Sequence, residues 1–168
     1  MTATEVKKLL ALTPHPREGG AYIRTYESGE HIAPTAFADA RYPTPRHTST
    51  AIYYFLEPDT FSEMHRLRSD EIFHFYLGDP VEMLQLLPDG SSEVFTLGQD
   101  LAAGQHVQLV VPAGVWQGTR LIGDGKVALL GCTVTPGFDY ADYLSGSYAE
   151  LAAKWPKETE RIRALTKS

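Results

Sequence analysis

The chain has a single cysteine among its 168 residues, so no internal disulfide can brace it and no Cys-x-x-Cys pair can hold zinc or exchange thiols. That residue, Cys132, sits in the apolar run Leu129-Leu-Gly-Cys-Thr-Val and reads as a small buried hydrophobe rather than a nucleophile. No window is long and apolar enough to span a bilayer, and the opening Met-Thr-Ala-Thr-Glu-Val-Lys-Lys lacks the apolar core of a signal peptide. Basic residues are the minority, 15 against 21 acidic, for a net charge of −6. A nucleic-acid partner is therefore disfavoured, because phosphate contacts supply most non-specific affinity. No polybasic run or basic helical face marks a membrane surface either. Gly-x-Ser-x-Gly and Walker loops are missing, which removes support for serine hydrolysis and nucleotide-phosphate cleavage. The expectation from these absences is a cytoplasmic protein with no nucleic-acid and no membrane partner.

What the chain does contain is alternation broken by turns. Eleven prolines and 14 glycines are spread along it, as many short strands require. Thr2-Ala-Thr-Glu5 is a capping box that predicts a helix to about Leu12, and Thr13-Pro-His-Pro16 stops it. Period-two strands follow over Ala21–Tyr26, Ile32–Ala38, Thr50–Leu56, Phe61–Leu67, Glu71–Leu77, Val81–Leu87, Glu93–Leu97, His106–Val111, Val115–Leu121 and Lys126–Thr135. Pro88-Asp-Gly-Ser91 is the clearest hairpin turn. A second capping box, Ser147-Tyr-Ala-Glu150, and Pro156 at a first helical position predict closing helices to about Leu165, with Glu158 and Arg161 one turn apart. One domain over 1–168 is expected: an N-terminal helix in 1–15, a β-barrel in 20–136 and helices in 140–168. Strands without intervening helices make it all-β, an antiparallel sandwich or barrel.

Two segments carry the chemistry. The first, Phe61-Ser-Glu-Met-His65-Arg-Leu67-Arg-Ser-Asp-Glu71-Ile-Phe-His74-Phe-Tyr-Leu-Gly78, has a histidine, an acid six residues later and a closing glycine. The second is Gln108-Leu-Val-Val-Pro112-Ala-Gly114-Val-Trp116-Gln117. Together they resemble the paired motifs of the cupin superfamily, Gly-x5-His-x-His-x(3,4)-Glu-x6-Gly and Gly-x5-Pro-x-Gly-x2-His-x3-Asn. Asp59, His65, Leu67, Glu71 and Gly78 stand at the first set of positions. His106, Pro112, Gly114, Gln117 and Leu121 stand at the second, with Gly104 two residues early. Ligand positions are thus replaced in both. Pro16-Arg-Glu-Gly-Gly-Ala-Tyr22, Ser49-Thr-Ala-Ile-Tyr53-Tyr54 and Thr135-Pro-Gly-Phe-Asp-Tyr resemble one branch in particular, Cupin 5, a domain of unknown function. The resemblance covers nearly the whole chain and implies a cupin-type jelly roll, a double-stranded β-helix, commonly dimeric. Members have been likened to sugar-nucleotide epimerases and to plant germin-type and storage cupins.

Strand parity says which residues share a face, since alternate side chains point the same way, and the cupin resemblance implies which face is the lumen. His65, Leu67, Glu71, Phe73 and Phe75 point inward, joined by Gln117, while His74 looks outward unless a bulge turns it. His65 beside Glu71 is the expected acid–base pair, with Tyr53 or Tyr22 as proton donor on the opposite face of a substrate. Arg24 or Arg46 could hold an anionic group, and Phe73, Phe75, Trp116 and Gln117 complete the expected substrate contacts. No cofactor is expected; a divalent metal, if held, would use His65, Glu71, Gln117 and His74. His15, His31, His47 and His106 are expected to face solvent. Three functional readings follow: a metal-independent isomerase or epimerase of sugar-like metabolites, a metal-dependent oxygenase or isomerase, and a non-catalytic module that binds or senses a small molecule. The expected partners are that ligand and a second copy of the chain, joined by a strand around Tyr22–Tyr26 or Ile32–Ala38.

Overall fold

The computed structural model describes residues 2–37 and 39–167. Helix α1 (Ala3–Leu9) starts at the expected capping box: the Glu5 backbone N–H donates to Thr2 Oγ1, and the Thr2 N–H donates to the Glu5 carboxylate at 2.7 Å. Strands β1 (Thr13–Pro14), β2 (Ala21–Glu27), β3 (His31–Ile32), β4 (Arg46–His47), β5 (Thr50–Leu56) and β6 (Phe61–Arg66) follow. The run continues through β7 (Asp70–Gly78), β8 (Val81–Leu86), β9 (Ser92–Leu97), β10 (Gln108–Val111), β11 (Trp116–Leu121) and β12 (Ala128–Thr135). After β13 (Leu144–Ser145) the chain ends in α2 (Tyr148–Lys154) and α3 (Thr159–Ala164).

The strands form a six-stranded sheet in the order β1-β2-β5-β12-β7-β10 and a five-stranded sheet in the order β13-β6-β11-β8-β9. Their ladders are antiparallel, so one face of each can be apolar. The inward residues of both sheets meet in one cluster built around Tyr54, Phe73, Phe75, Met83, Leu97 and Leu130. Burying large side chains of this kind stabilises by roughly 1.5–3 kcal/mol each before the entropy of ordering them is subtracted. The cluster fills one end of the space between the sheets, and the polar residues His65 and Glu71 lie towards the other. On the outer faces, Val6 and Leu12 cover Phe55 and Leu129, while Leu151, Trp155, Ile162 and Leu165 cover Met64, Leu84 and Leu86.

The expected strands recur with their ends moved by a residue or two, except Ile32–Ala38. There only His31–Ile32 pairs, with β4, and Pro34–Ala36 forms a 3₁₀ turn; Ala38 lies outside the described residues. Proline at 34 has no N–H to give a ladder, which ends the strand. The short strands β1, β4 and β13 were not expected, because two-residue pairings leave no periodic signature. Ser147 opens α2 without a side-chain cap, so the second capping box is not formed. Pro88–Ser91 does link β8 to β9, with Gly90 at φ 90°, a backbone region that glycine enters freely.

Candidate functional site

A cavity of about 220 Å³ opens between the sheets at the end opposite the apolar cluster. The inward rows explain its position. In β5, Thr50 and Ile52 line it while Tyr54 and Leu56 lie in the cluster; in β12, Cys132 and Val134 line it while Ala128 and Leu130 do not. Glu71 begins the inward row of β7, and His65 and Leu67 come from the end of β6.

His65 is 1% exposed and its Nδ1 lies 2.7 Å from the Glu63 carbonyl oxygen. A carbonyl only accepts, so Nδ1 carries the proton, and in the neutral ring Nε2 would turn its lone pair towards Glu71, 4.0 Å away at Oε2. The ring also stacks on Tyr143, centroids 4.9 Å apart, and the Tyr143 hydroxyl donates to Glu63 Oε1 at 2.8 Å. Ser145 Oγ donates to the same carboxylate oxygen, and Lys167 Nζ lies 2.9 Å from Glu63 Oε2. Glu63 thus fixes His65 through its backbone and braces the stacking ring through its side chain. Glu71 is buried, accepts from Gln117 Nε2, and its carboxyl is pushed up to about 7. Burial is the main cause, followed by the nearby Glu18 charge; His65 and Gln117 pull the other way. The Cys132 thiol, buried beside Glu71, is pushed well above its usual range.

A second histidine–carboxylate pair enters from the loop before β2. His15 Nδ1 accepts from the Glu18 backbone N–H at 2.8 Å, so in the neutral ring Nε2 carries the proton. That nitrogen lies 3.9 Å from Glu18 Oε2, and burial pushes the imidazole pKa down, favouring the neutral form. Glu18 itself accepts from Ser62 Oγ at 2.5 Å. Gly19 makes the loop possible. Its φ is 104°, and a Cβ there would stand 2.2 Å from the Phe61 carbonyl oxygen. Only glycine lets the chain approach β6 closely enough to push Glu18 between the sheets. When neutral, the two imidazoles therefore face one cavity in opposite tautomers, one presenting a lone pair and the other a proton.

Other expected site residues fall elsewhere. Phe73 and Phe75 face inward as parity requires, but they fill the apolar cluster and do not line the cavity. Tyr53 belongs to the outward row of β5, where it packs with the residues under α1 and meets Tyr76 edge-on. Tyr22, with Tyr140 across from it, lines the cavity instead. Trp116 lies on the outer face, beneath the Arg66 guanidinium. His74 is on the outer face of β7, its ring nitrogens 3.3 Å from Thr133 Oγ1 and from Gln108 Nε2. Arg24 reaches the cavity mouth paired to Glu27, whereas Arg46 is buried in a two-pronged pair with Asp142, at 2.7 and 2.9 Å. His15, expected at the surface, is the largest correction; its signal was the Glu-Gly-Gly run that follows it.

A metal does not fit this donor set. Leu67 occupies a position where the cupin pattern has histidine, His74 points away, and the Gln117 amide nitrogen is turned onto Glu71. Among the described residues no three His, Cys, Asp or Glu side chains converge as an ion would need.

Comparison with known proteins agrees with this architecture. A solved structure of a hypothetical protein from Leishmania major superimposes with a TM-score of 0.89 at 28% identity, covering 100% of both chains. A protein from Shewanella oneidensis superimposes with a TM-score of 0.87 at 32% identity, covering 99% of this chain and 98% of that one. Oxalate decarboxylase from Bacillus subtilis shares the fold alone, with a TM-score of 0.52 at 16% identity over 95% of this chain and 38% of its own. In sequence, an uncharacterized protein of Saccharomyces cerevisiae is 32% identical over 101 residues, 58% of this chain and 50% of that protein, so the match spans about half the relative's length. The family described as Cupin superfamily (DUF985) matches residues 4–145, and the chain belongs to it.

Proposed function

We propose that the cavity binds a small polyhydroxylated carbonyl compound and moves a proton on it without a metal, as an isomerase or epimerase does. The carrying observation is a pair of imidazoles on one cavity, each beside a carboxylate, with Nδ1 of one meeting a backbone N–H and Nδ1 of the other a backbone carbonyl. His65 Nε2 takes the proton from the carbon next to the carbonyl, the electron pair of that C–H bond forms a carbon–carbon double bond, and the carbonyl π pair moves to the oxygen. His15 Nε2–H donates a hydrogen bond to the oxygen as its charge develops. Return of the proton from His65 to the former carbonyl carbon, with the neighbouring hydroxyl proton passing to the first oxygen, completes isomerisation. A proton given by Tyr22 to the other face of the original carbon completes epimerisation, after which His65 releases its proton to solvent and Tyr22 takes one up. Glu18 and Glu71 accept substrate hydroxyls, and Tyr22, Phe138 and Tyr140 offer flat surfaces to its C–H faces. At about 220 Å³ the cavity lies below the roughly 300–1,000 Å³ of most ligand sites, which favours a single small ring over a nucleotide.

The test uses protein treated with a chelator and incubated in deuterated water with a panel of reducing sugars and hydroxy-ketones. NMR is expected to show deuterium entering at the carbon beside the carbonyl of one of them. If only metal-supplemented protein exchanges, the metal-dependent reading stands in its place; binding without exchange across the panel favours the non-catalytic one.

A homodimer belongs to the same proposal. Strand β1 pairs only with Ala21 and Tyr22, so β2 from Ile23 to Glu27 presents an edge with no strand partner among the described residues. Such edges are normally covered. Light scattering at micromolar concentration is expected to give twice the 18.6 kDa chain mass, and a monomer mass would refute it.

A further inference from the structure

Behind the wall of the cavity lies a second recess of about 500 Å³, on the outer side of the β6 end. Leu67 lines both spaces, and Tyr143, whose ring stacks on His65, lines the second. Parity places the chemistry there. With His65 and Leu67 inward, Arg66 and Arg68 emerge on the opposite face, where Arg41 joins them. All three are exposed, yet each is held at one side by the protein. The Arg66 guanidinium lies 4.8 Å over the Trp116 ring, which restrains its plane and leaves its N–H edge open. Arg68 donates to the Arg41 carbonyl at 2.6 Å and stands 3.8 Å from Asp142. Arg41 pairs with Asp39 at 2.9 Å.

The charge does not cancel. Asp142 is already engaged by both prongs of buried Arg46, and Asp39 by Arg41. Among the described residues Arg66 has no carboxylate partner, and Arg68 has only the distant edge of one already matched. A chain of net charge −6 thus sets three guanidiniums, those of Arg41, Arg66 and Arg68, against two carboxylates in the lining of one hollow, and one of those carboxylates is already matched from behind by Arg46. We infer that this recess binds a phosphate group, free or carried on a small metabolite. Partly immobilised guanidinium forks match phosphate oxygens two at a time and lose little freedom on doing so. This inference does not depend on the proton chemistry assigned to the cavity.

The experiment measures binding, not turnover. Titration of inorganic phosphate and of a simple sugar phosphate, followed by ³¹P line broadening at fixed ionic strength, is expected to show saturable binding of at least one. The same anions should raise the melting temperature above a chloride control. Arg66→Ala with Arg68→Ala is expected to weaken binding at least tenfold. Arg66→Lys with Arg68→Lys, which keeps charge but not the fork, should weaken it in the same direction without disturbing the fold. Arg120→Ala, remote from the recess, should leave it unchanged. Tighter binding of the sugar phosphate identifies a metabolite as the source, and tighter inorganic phosphate identifies the free ion. No saturation beyond the chloride control, or unchanged binding in both double variants, or equal loss in Arg120→Ala, overturns the inference.

Discussion

Replacing His65 with asparagine is expected to lower the rate of solvent-deuterium exchange into the bound compound by about 10²–10⁴-fold while leaving binding nearly intact. Asparagine is the informative choice because its amide N–H can still donate to the Glu63 carbonyl, as Nδ1 does now at 2.7 Å. The wall of the cavity therefore keeps its hydrogen bond while it loses the basic nitrogen that faces Glu71 and the ring face that meets Tyr143. Alanine would remove the hydrogen bond as well and leave the buried Glu63 carbonyl unpaired, so a loss of activity there would not separate chemistry from folding. His15→Gln makes the complementary measurement. A glutamine amide N–H stands near the place of Nε2–H, so a modest loss is expected, against a large one for His15→Ala. Exchange within threefold of the unsubstituted protein in His65→Asn would remove His65 from the role of base.

How far the sequence disclosed this arrangement depends on which physical signal each part leaves. Strand alternation and turn residues specified an all-β chain, and parity together with the cupin resemblance put His65, Leu67 and Glu71 on one inner surface. Parity carries no depth, however. Phe73 and Phe75 share the inward row with Glu71, yet they stand further along β7, where the sheets close on apolar side chains. Tyr53 was misplaced for a different reason: its register opposite Gly131 sets it on the outer face, and the adjacent Tyr54 takes the inward place. His15 and Glu18 escaped altogether because they sit on an irregular loop, where neither period applies. Their position comes from Gly19 at φ 104° against the Phe61 carbonyl, a contact between segments distant in sequence. The adjacent glycines at 19 and 20 were the one local trace of it.

Glu71→Gln is expected to stabilise the protein at neutral and alkaline pH, by on the order of 2–3 kcal/mol or about 5–10 °C, while impairing function. The direction follows from the carboxyl's pKa, about 7 in the fold against 4.5 when exposed. Below pH 4.5 both states hold the proton and the group costs nothing. Between 4.5 and 7 the unfolded chain ionises freely while the folded one keeps its proton, so folding stability falls as pH rises. Above 7 both states are ionised and the loss is complete. Glutamine never ionises, so its stability should lack this descending limb. Its amide also suits the neighbour it meets: it can accept from Gln117 Nε2 and donate to Gln117 Oε1, a buried oxygen with no partner among the described residues. His15 titrates with the opposite sign, because burial lowers its pKa and the fold loses stability as pH falls and the ring charges. The measurement is therefore a difference: melting temperature against pH for the two proteins, subtracted. A gap that widens from pH 4.5 to 7 and then holds level supports a buried, costly carboxylate retained for its chemistry. A flat difference would mean that Glu71 ionises in the fold as easily as in water, and that the cavity does not hold a proton at that atom.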